Sequence, residues 1–157
     1  MKKFMDYVSE AAKVVEEVMP WDLEEELKGG ATPLILDIRE PYEFDCMHID
    51  GSSNVPRGVL ESACDWDYEE TIPELVNSRD RDIVIVCRSG HRSLLAGGTL
   101  KEIGFSNVRS LKTGLRGWND YEMPMVRQDG EDPVIEANAD KYFTPQVRED
   151  QFKPKET

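Results

Sequence analysis

Cys87 closes the run Ile83-Val84-Ile85-Val86-Cys87 and opens the loop Arg88-Ser89-Gly90-His91-Arg92-Ser93. Four apolar, mostly β-branched residues predict a buried strand, and the pattern from Ser93 onward predicts a helix. The thiol is therefore expected at the C-terminal end of a strand, facing a helix N-terminus. Such a place favours thiolate, because unpaired amides and the helix dipole stabilise negative charge. Arg88 and Arg92 add positive charge. Gly90 permits the backbone angles that turn successive N–H groups inward as an anion nest. The expected chemistry is attack by sulfur and a covalent intermediate.

The neighbouring side chains have competing readings. His91 could be a general base. A cradle that already holds its cysteine ionised needs none, which favours a loop or substrate contact. Ser93 reads as a helix N-terminal residue that bonds a free amide or the sulfur, rather than as a nucleophile. Cys87 itself could be an inert core thiol. Against that reading, two arginines are costly neighbours for a purely apolar group.

Strand and helix signals alternate around this loop. Leu34–Ile38 and Asn107–Leu111 are short strands, and Asn54-Val55-Pro56 is a weaker extended piece after the turn at Asp50-Gly51. Glu70–Asn77 is a candidate helix with Pro73 in its first turn. Leu94, Leu95, Thr99, Leu100 and Ile103 form a helix face that Gly104 ends. This alternation predicts an α/β domain with a mostly parallel sheet, whose sites lie at the C-terminal strand ends. Upstream, residues 4–19 read as one amphipathic helix stopped by Pro20, either packed on the domain or free for docking or dimerisation. Asp22 is expected to cap a short helix Leu23–Lys28. From about Arg127 the pattern fades into an acidic extension, either mobile or an extended strap held by Tyr142, Phe143, Val147 and Phe152. The expected organisation is an N-terminal helix over 1–20, a domain over 21–126 and an extension over 127–157.

The chain has 157 residues and a net charge of −13, which argues against nucleic acid as a main partner. No apolar run approaches the ~20 residues of a membrane span. Asp6, Glu10, Glu16 and Glu17 interrupt what would have to be the apolar part of a signal peptide. Three cysteines, Cys46, Cys64 and Cys87, make neither a disulfide framework nor a zinc spacing. The expectation is a cytoplasmic protein with reduced thiols, no metal and no membrane partner.

Three segments resemble the single-domain rhodanese sulfurtransferases. Leu36-Asp37-Ile38-Arg39-Glu40-Pro41-Tyr42-Glu43-Phe44, continued by His48-Ile49-Asp50-Gly51-Ser52-Ser53-Asn54-Val55-Pro56, resembles the family's first-strand motif. The loop Cys87–Ser93 resembles the active-site loop of thiosulfate-using members. Gly114-Leu115-Arg116-Gly117-Trp118, with Met123-Pro124-Met125 after it, resembles the closing segment. One departure is Met47, where the family usually has glycine before the His-Ile pair.

The resemblance implies a three-layer α/β fold with a central, mostly parallel sheet flanked by helices. It also implies transfer of sulfane sulfur through a Cys87 persulfide, without a cofactor. The donor would be thiosulfate, a polysulfide or glutathione persulfide. The acceptor would be cyanide, a thiol, or a sulfur-carrier or thioredoxin-like protein. The amides of Arg88, Ser89, Gly90, His91 and Arg92 would hold the terminal sulfur. Arg92 would organise the cradle, and Arg88 would attract an anionic donor at the rim. Asp37 is expected to support the loop as an acceptor, and Arg39 to pair with Glu43. Cys46 and Cys64 match no catalytic position; each is inert, receives sulfur from Cys87 or forms a disulfide with it. Two other functions compete. A phosphatase or arsenate reductase on this fold has five residues between cysteine and arginine, whereas four stand here. A catalytically silent binding module often lacks the cysteine.

Overall fold

Continuous apolar runs such as Ile83–Val86 suit strands covered on both faces, as parallel strands are. The computed structural model, which describes residues 1–131 and 136–155, contains such a sheet. Its strands are β1 (Glu16–Val18), β2 (Leu34–Asp37), β3 (Ser53–Asn54), β4 (Asp82–Val86) and β5 (Asn107–Leu111). They lie in the order β1-β5-β4-β2-β3, all parallel. The register sets Ile85 beside Leu36 and Ser110, so the C-terminal ends of the central strands lie together.

Side-chain alternation divides the core into two layers. Leu34, Leu36, Ile83, Ile85 and Val108 face one side, with Leu60, Leu75, Ala96 and Leu100 packed on them. Ile35, Val84, Val86 and Leu111 face the other, against Leu23, Leu115 and Trp118. Each fully buried Leu or Ile adds about 1.5–3 kcal/mol. The helices are α1 (Phe4–Ala11), α2 (Pro20–Lys28), α3 (Pro41–Cys46), α4 (Leu60–Ala63), α5 (Pro73–Val76), α6 (His91–Glu102), α7 (Gly114–Asp120) and α8 (Glu136–Phe143). The result is the expected three-layer α/β fold. No described helix is long and apolar enough to cross a membrane.

Several expectations are corrected. The helix expected through Met19 ends at Ala11, and Glu16–Val18 becomes edge strand β1 beside β5. Val8 and Val15, on either side of the end of α1, form one buried cluster with Leu94. Pro20 opens α2 at its first position, where its missing N–H costs nothing, so Asp22 lies in the first turn and does not cap it. Pro41 and Pro73 open α3 and α5 in the same way. Helix α5 is therefore shorter than the expected 70–77. Residues 132–135 and 156–157 of the expected extension lie outside the described residues. Within the rest, α8 replaces the extended strap: Ala139 and Phe143 are buried, and Asn119 Nδ2 donates to Asp140 Oδ1 at 2.9 Å.

Candidate active site

The chain leaves β4 at Val86, and Cys87 follows with no exposed surface. A sulfur buried there needs polar partners if it is to carry charge. It has them. The amides of Gly90 and Ser93 donate to Sγ at 3.1 and 3.3 Å, and the thiol lies 3.3 Å from Ser93 Oγ. Ser93 Oγ in turn lies 2.6 Å from the hydroxyl of Ser110 on β5, so the two hydroxyls tie the site to the neighbouring strand.

Helix α6 begins at His91, two residues earlier than expected, because Gly90 takes φ 89° and serves as its N-cap. The left-handed region suits glycine. A side chain here would also collide, since an added Cβ would lie 2.9 Å from the Thr113 nitrogen. The connection between β5 and α7 presses on the loop from below. Leu115 N–H donates to the Cys87 carbonyl at 2.9 Å and Arg116 N–H to the Arg88 carbonyl at 3.0 Å. Gly114, at φ 61°, passes so close that a Cβ would lie 2.6 Å from the Cys87 oxygen. Helix α7 thus takes up two loop carbonyls. Because a trans peptide holds C=O and N–H on opposite sides, the amides of Arg88 and Ser89 point away from α7. The loop is left rich in donors, the arrangement that suits an anion.

This geometry matches proteins of known family. A family model described as the rhodanese-like domain matches residues 19–121. The chain belongs to the rhodanese-like domain family. A relative from Allochromatium vinosum named sulfurtransferase is 30% identical over 117 residues, covering 74% of this chain and 100% of that protein. The adenylyltransferase and sulfurtransferase uba4 of Aspergillus clavatus is 33% identical over 115 residues, 64% of this chain and 23% of that protein. The chain thus spans about a quarter of the length of such relatives. Among solved structures, a Rhodopseudomonas palustris protein of unknown function, described as a possible tyrosine phosphatase, is 29% identical. It covers 80% of this chain and 96% of its own, with a TM-score of 0.72.

The rhodanese motifs sit around one end of the sheet, with individual roles different from some expected. Arg39 pairs with Asp37 and not with Glu43: both side chains are buried, and Nη2 lies 2.9 Å from Oδ2. Arg39 also donates to the Met47 carbonyl at 2.6 Å. Asp37 therefore accepts from Arg39 instead of supporting the loop directly. Asn54 Nδ2 closes the same turn by donating to the Asp37 and Arg39 carbonyls. Glu43 is left for Arg92, whose Nη2 lies 3.4 Å away. That pairing directs the Arg92 guanidinium to the α3 side of the loop. Arg88 stands at the rim, lines a cavity of about 230 Å³, and has no carboxylate partner among the described residues. His91 is half-buried with the edge of Phe4 against its ring, and it is not a partner of Sγ. Ser89 is exposed. Met47 needs no glycine: its φ is −167°, ordinary extended backbone, and its side chain fills the core.

The other cysteines differ from Cys87. All three are free thiols. Cys64 is buried in the apolar core, and that burial pushes its thiol up to about 11, with Glu61 adding slightly and Arg79 opposing. Cys46 is half-buried in the wall of the cavity beside Arg88. Sequence reasoning missed Ser110 and the part played by Gly114. The signal available for Ser110 was a small polar residue inside an otherwise buried strand.

Proposed function

We propose that the protein is a sulfurtransferase that carries sulfane sulfur as a persulfide on Cys87. One observation carries this reading: a buried sulfur that accepts two backbone amides in a loop with only four residues before Arg92. With thiosulfate, the Cys87 thiolate attacks the outer sulfur. The new S–S bond forms as the old one breaks, and the electron pair leaves with sulfite. The remaining loop amides, of Arg88, Ser89, His91 and Arg92, are the donors for the added sulfur, and preorganised donors of this kind stabilise its charge without reorganisation. Arg88 supplies the unpaired positive charge that draws an anionic donor. The acceptor thiol or cyanide then attacks the outer sulfur and releases the Cys87 thiolate. No cofactor is needed for either transfer. Polysulfide and persulfide donors fit the same scheme. The name of one relative, a putative sulfur carrier protein, supports a sulfur-carrier protein as one acceptor. Free thiols suit a reducing compartment such as the cytoplasm.

The described character of the R. palustris relative supplies the competing reading, phosphate transfer. A loop of four residues seats one sulfur atom better than a tetrahedral anion. Mass measurement after thiosulfate treatment is expected to show about 32 Da added, the mass of one sulfur, removable by cyanide and lost in Cys87→Ser. Phosphate release from an aryl phosphate without sulfur loading would replace this reading with the second one.

A further inference from the structure

The connection between β5 and α7 carries charge that the sulfur chemistry at Cys87 does not use. The register sets Ile85 beside Ser110, so β4 and β5 end together. Cys87 follows one strand and Lys112 the other. Arg116 lies in the first turn of α7, where its N–H donates to the Arg88 carbonyl at 3.0 Å. The backbone positions of Arg88, Lys112 and Arg116 thus meet around the Cys87 loop. Lys112 and Arg116 are exposed, and Arg88 is half-buried.

Pairing sets these three cations apart. Asp37 neutralises Arg39, Glu43 neutralises Arg92, and Arg109 lies between Glu26 and Asp82. Arg88, Lys112 and Arg116 have no carboxylate partner among the described residues. They stay unpaired in a chain with 32 acidic residues and a net charge of −13. A small inorganic donor that reaches Sγ needs only the loop. Cations on the next strand end and on α7 spread the positive charge over a wider footprint, which suits a larger anionic partner. The net charge repels an acidic protein, while this basic collar attracts it. Such a partner is therefore oriented toward Cys87 as it approaches. Nucleic acid shares the negative charge, but it presents no cysteine for the transfer. We propose that Lys112 and Arg116, together with Arg88, form a docking collar for an acidic protein segment that presents a cysteine thiol to sulfur-loaded Cys87.

The assignment rests on the sulfurtransferase reading and specifies the character of its protein acceptor. The acceptor thiolate attacks the outer sulfur of the Cys87 persulfide. A bond forms between the acceptor sulfur and that outer sulfur, the Sγ–S bond breaks, and its electron pair stays on Cys87 as thiolate. The outer sulfur keeps its proton, so the acceptor leaves as R–S–SH. No oxidant or reductant is consumed.

The test uses the intact chain loaded with thiosulfate and a pair of acetylated, amidated heptapeptides. Each has one central cysteine, flanked by glutamates in one peptide and by lysines in its twin. Mass spectrometry follows sulfur onto each peptide. Lys112→Glu combined with Arg116→Glu is expected to raise the KM for the glutamate peptide about tenfold at low salt, the combined size of two exposed charge interactions reversed. The KM for the lysine peptide should fall, and that for neutral 2-mercaptoethanol should change little. Comparing variant with natural chain for the same peptide cancels differences in thiol reactivity. About 0.5 M salt should erase most of the effect. Lys112→Gln with Arg116→Gln should give a smaller rise in the same direction. Equal changes for the two peptides, or none, overturn the assignment. So does an oligonucleotide that displaces the glutamate peptide at lower concentration than a second acidic peptide does. Failure of Cys87 to load from any donor would instead remove the sulfurtransferase reading. Fluorescence anisotropy of a labelled glutamate peptide with serine in place of cysteine still decides the collar in that case: binding weakened by the double reversal supports it, and unchanged binding overturns it.

Discussion

Cys64 and Cys87 belong to the same apolar cluster and are 1% and 0% exposed, yet their sulfurs have different surroundings. Cys64 follows α4, and the desolvation of its thiol dominates, so it stays protonated up to about 11. Cys87 has lost as much water, but the Gly90 and Ser93 amides and the Ser93 hydroxyl surround its sulfur. Burial by itself therefore makes a thiol inert. Burial with preorganised donors leaves the sulfur hydrogen-bonded. The difference lies in backbone direction: α7 draws the Cys87 and Arg88 carbonyls away, and the loop amides of Gly90 and Ser93 turn to the Cys87 sulfur.

The strongest way to break this contrast is at the α7 contact. Gly114→Ala forces a Cβ into the Cys87 and Arg88 backbone at positive φ. Strain of the left-handed region and overpacking together predict a loss of roughly 2–4 kcal/mol. Sulfur loading should slow at least as much as stability falls. Denaturant midpoints and loading rates check it, and a variant with normal values for both would show that α7 does not hold the loop.

A smaller effect sharpens the Cys64 side. The native thiol keeps its proton up to about 11, while the unfolded chain releases it near the ordinary 9.0. Between those values the native state binds more protons, so stability falls as pH rises, by on the order of 2 kcal/mol. This contribution is fully present below pH 9. The stability advantage of the natural chain over Cys64→Ala, measured under reducing conditions, should shrink by that amount between pH 8 and 11. A difference independent of pH would show that Cys64 is not held neutral.

The smallest effect tests the support of Cys87. Ser110→Ala removes the 2.6 Å partner of Ser93 Oγ. A single neutral hydrogen bond predicts about 1 kcal/mol, or about fivefold slower loading from thiosulfate in single-turnover measurements. No change would place Ser93 orientation on its backbone alone.

The central strands were legible because they are buried on both faces and so read as apolar runs; Asn107–Leu111 emerges with the expected bounds. Strand β1 was not, since Glu16–Val18 continues a helical spacing and becomes a strand only by pairing with β5, some 90 residues later. The motif residues were legible, but their partners were less so. Arg39 was expected on Glu43 at helical distance. At the end of β2, Asp37 lies nearer and both charges are buried, which demands bidentate pairing. Glu43 then meets Arg92 across 49 positions of sequence. Helix α8 was hidden because its few apolar residues gain a core only from Trp118 and its neighbours.

By itself, the sequence determined the loop cysteine, the four-residue spacing to Arg92, the glycines that let the loop turn, and the apolar strands that end there. These are local properties of side-chain type and backbone freedom. Tertiary structure decided which buried cysteine has donors, that Arg88, unlike Arg39 and Arg92, has no carboxylate partner among the described residues, and that α8 walls the cavity beside it. Those outcomes depend on hydrogen bonds and desolvation imposed by segments far away in the chain, and such contacts leave no mark on local spacing.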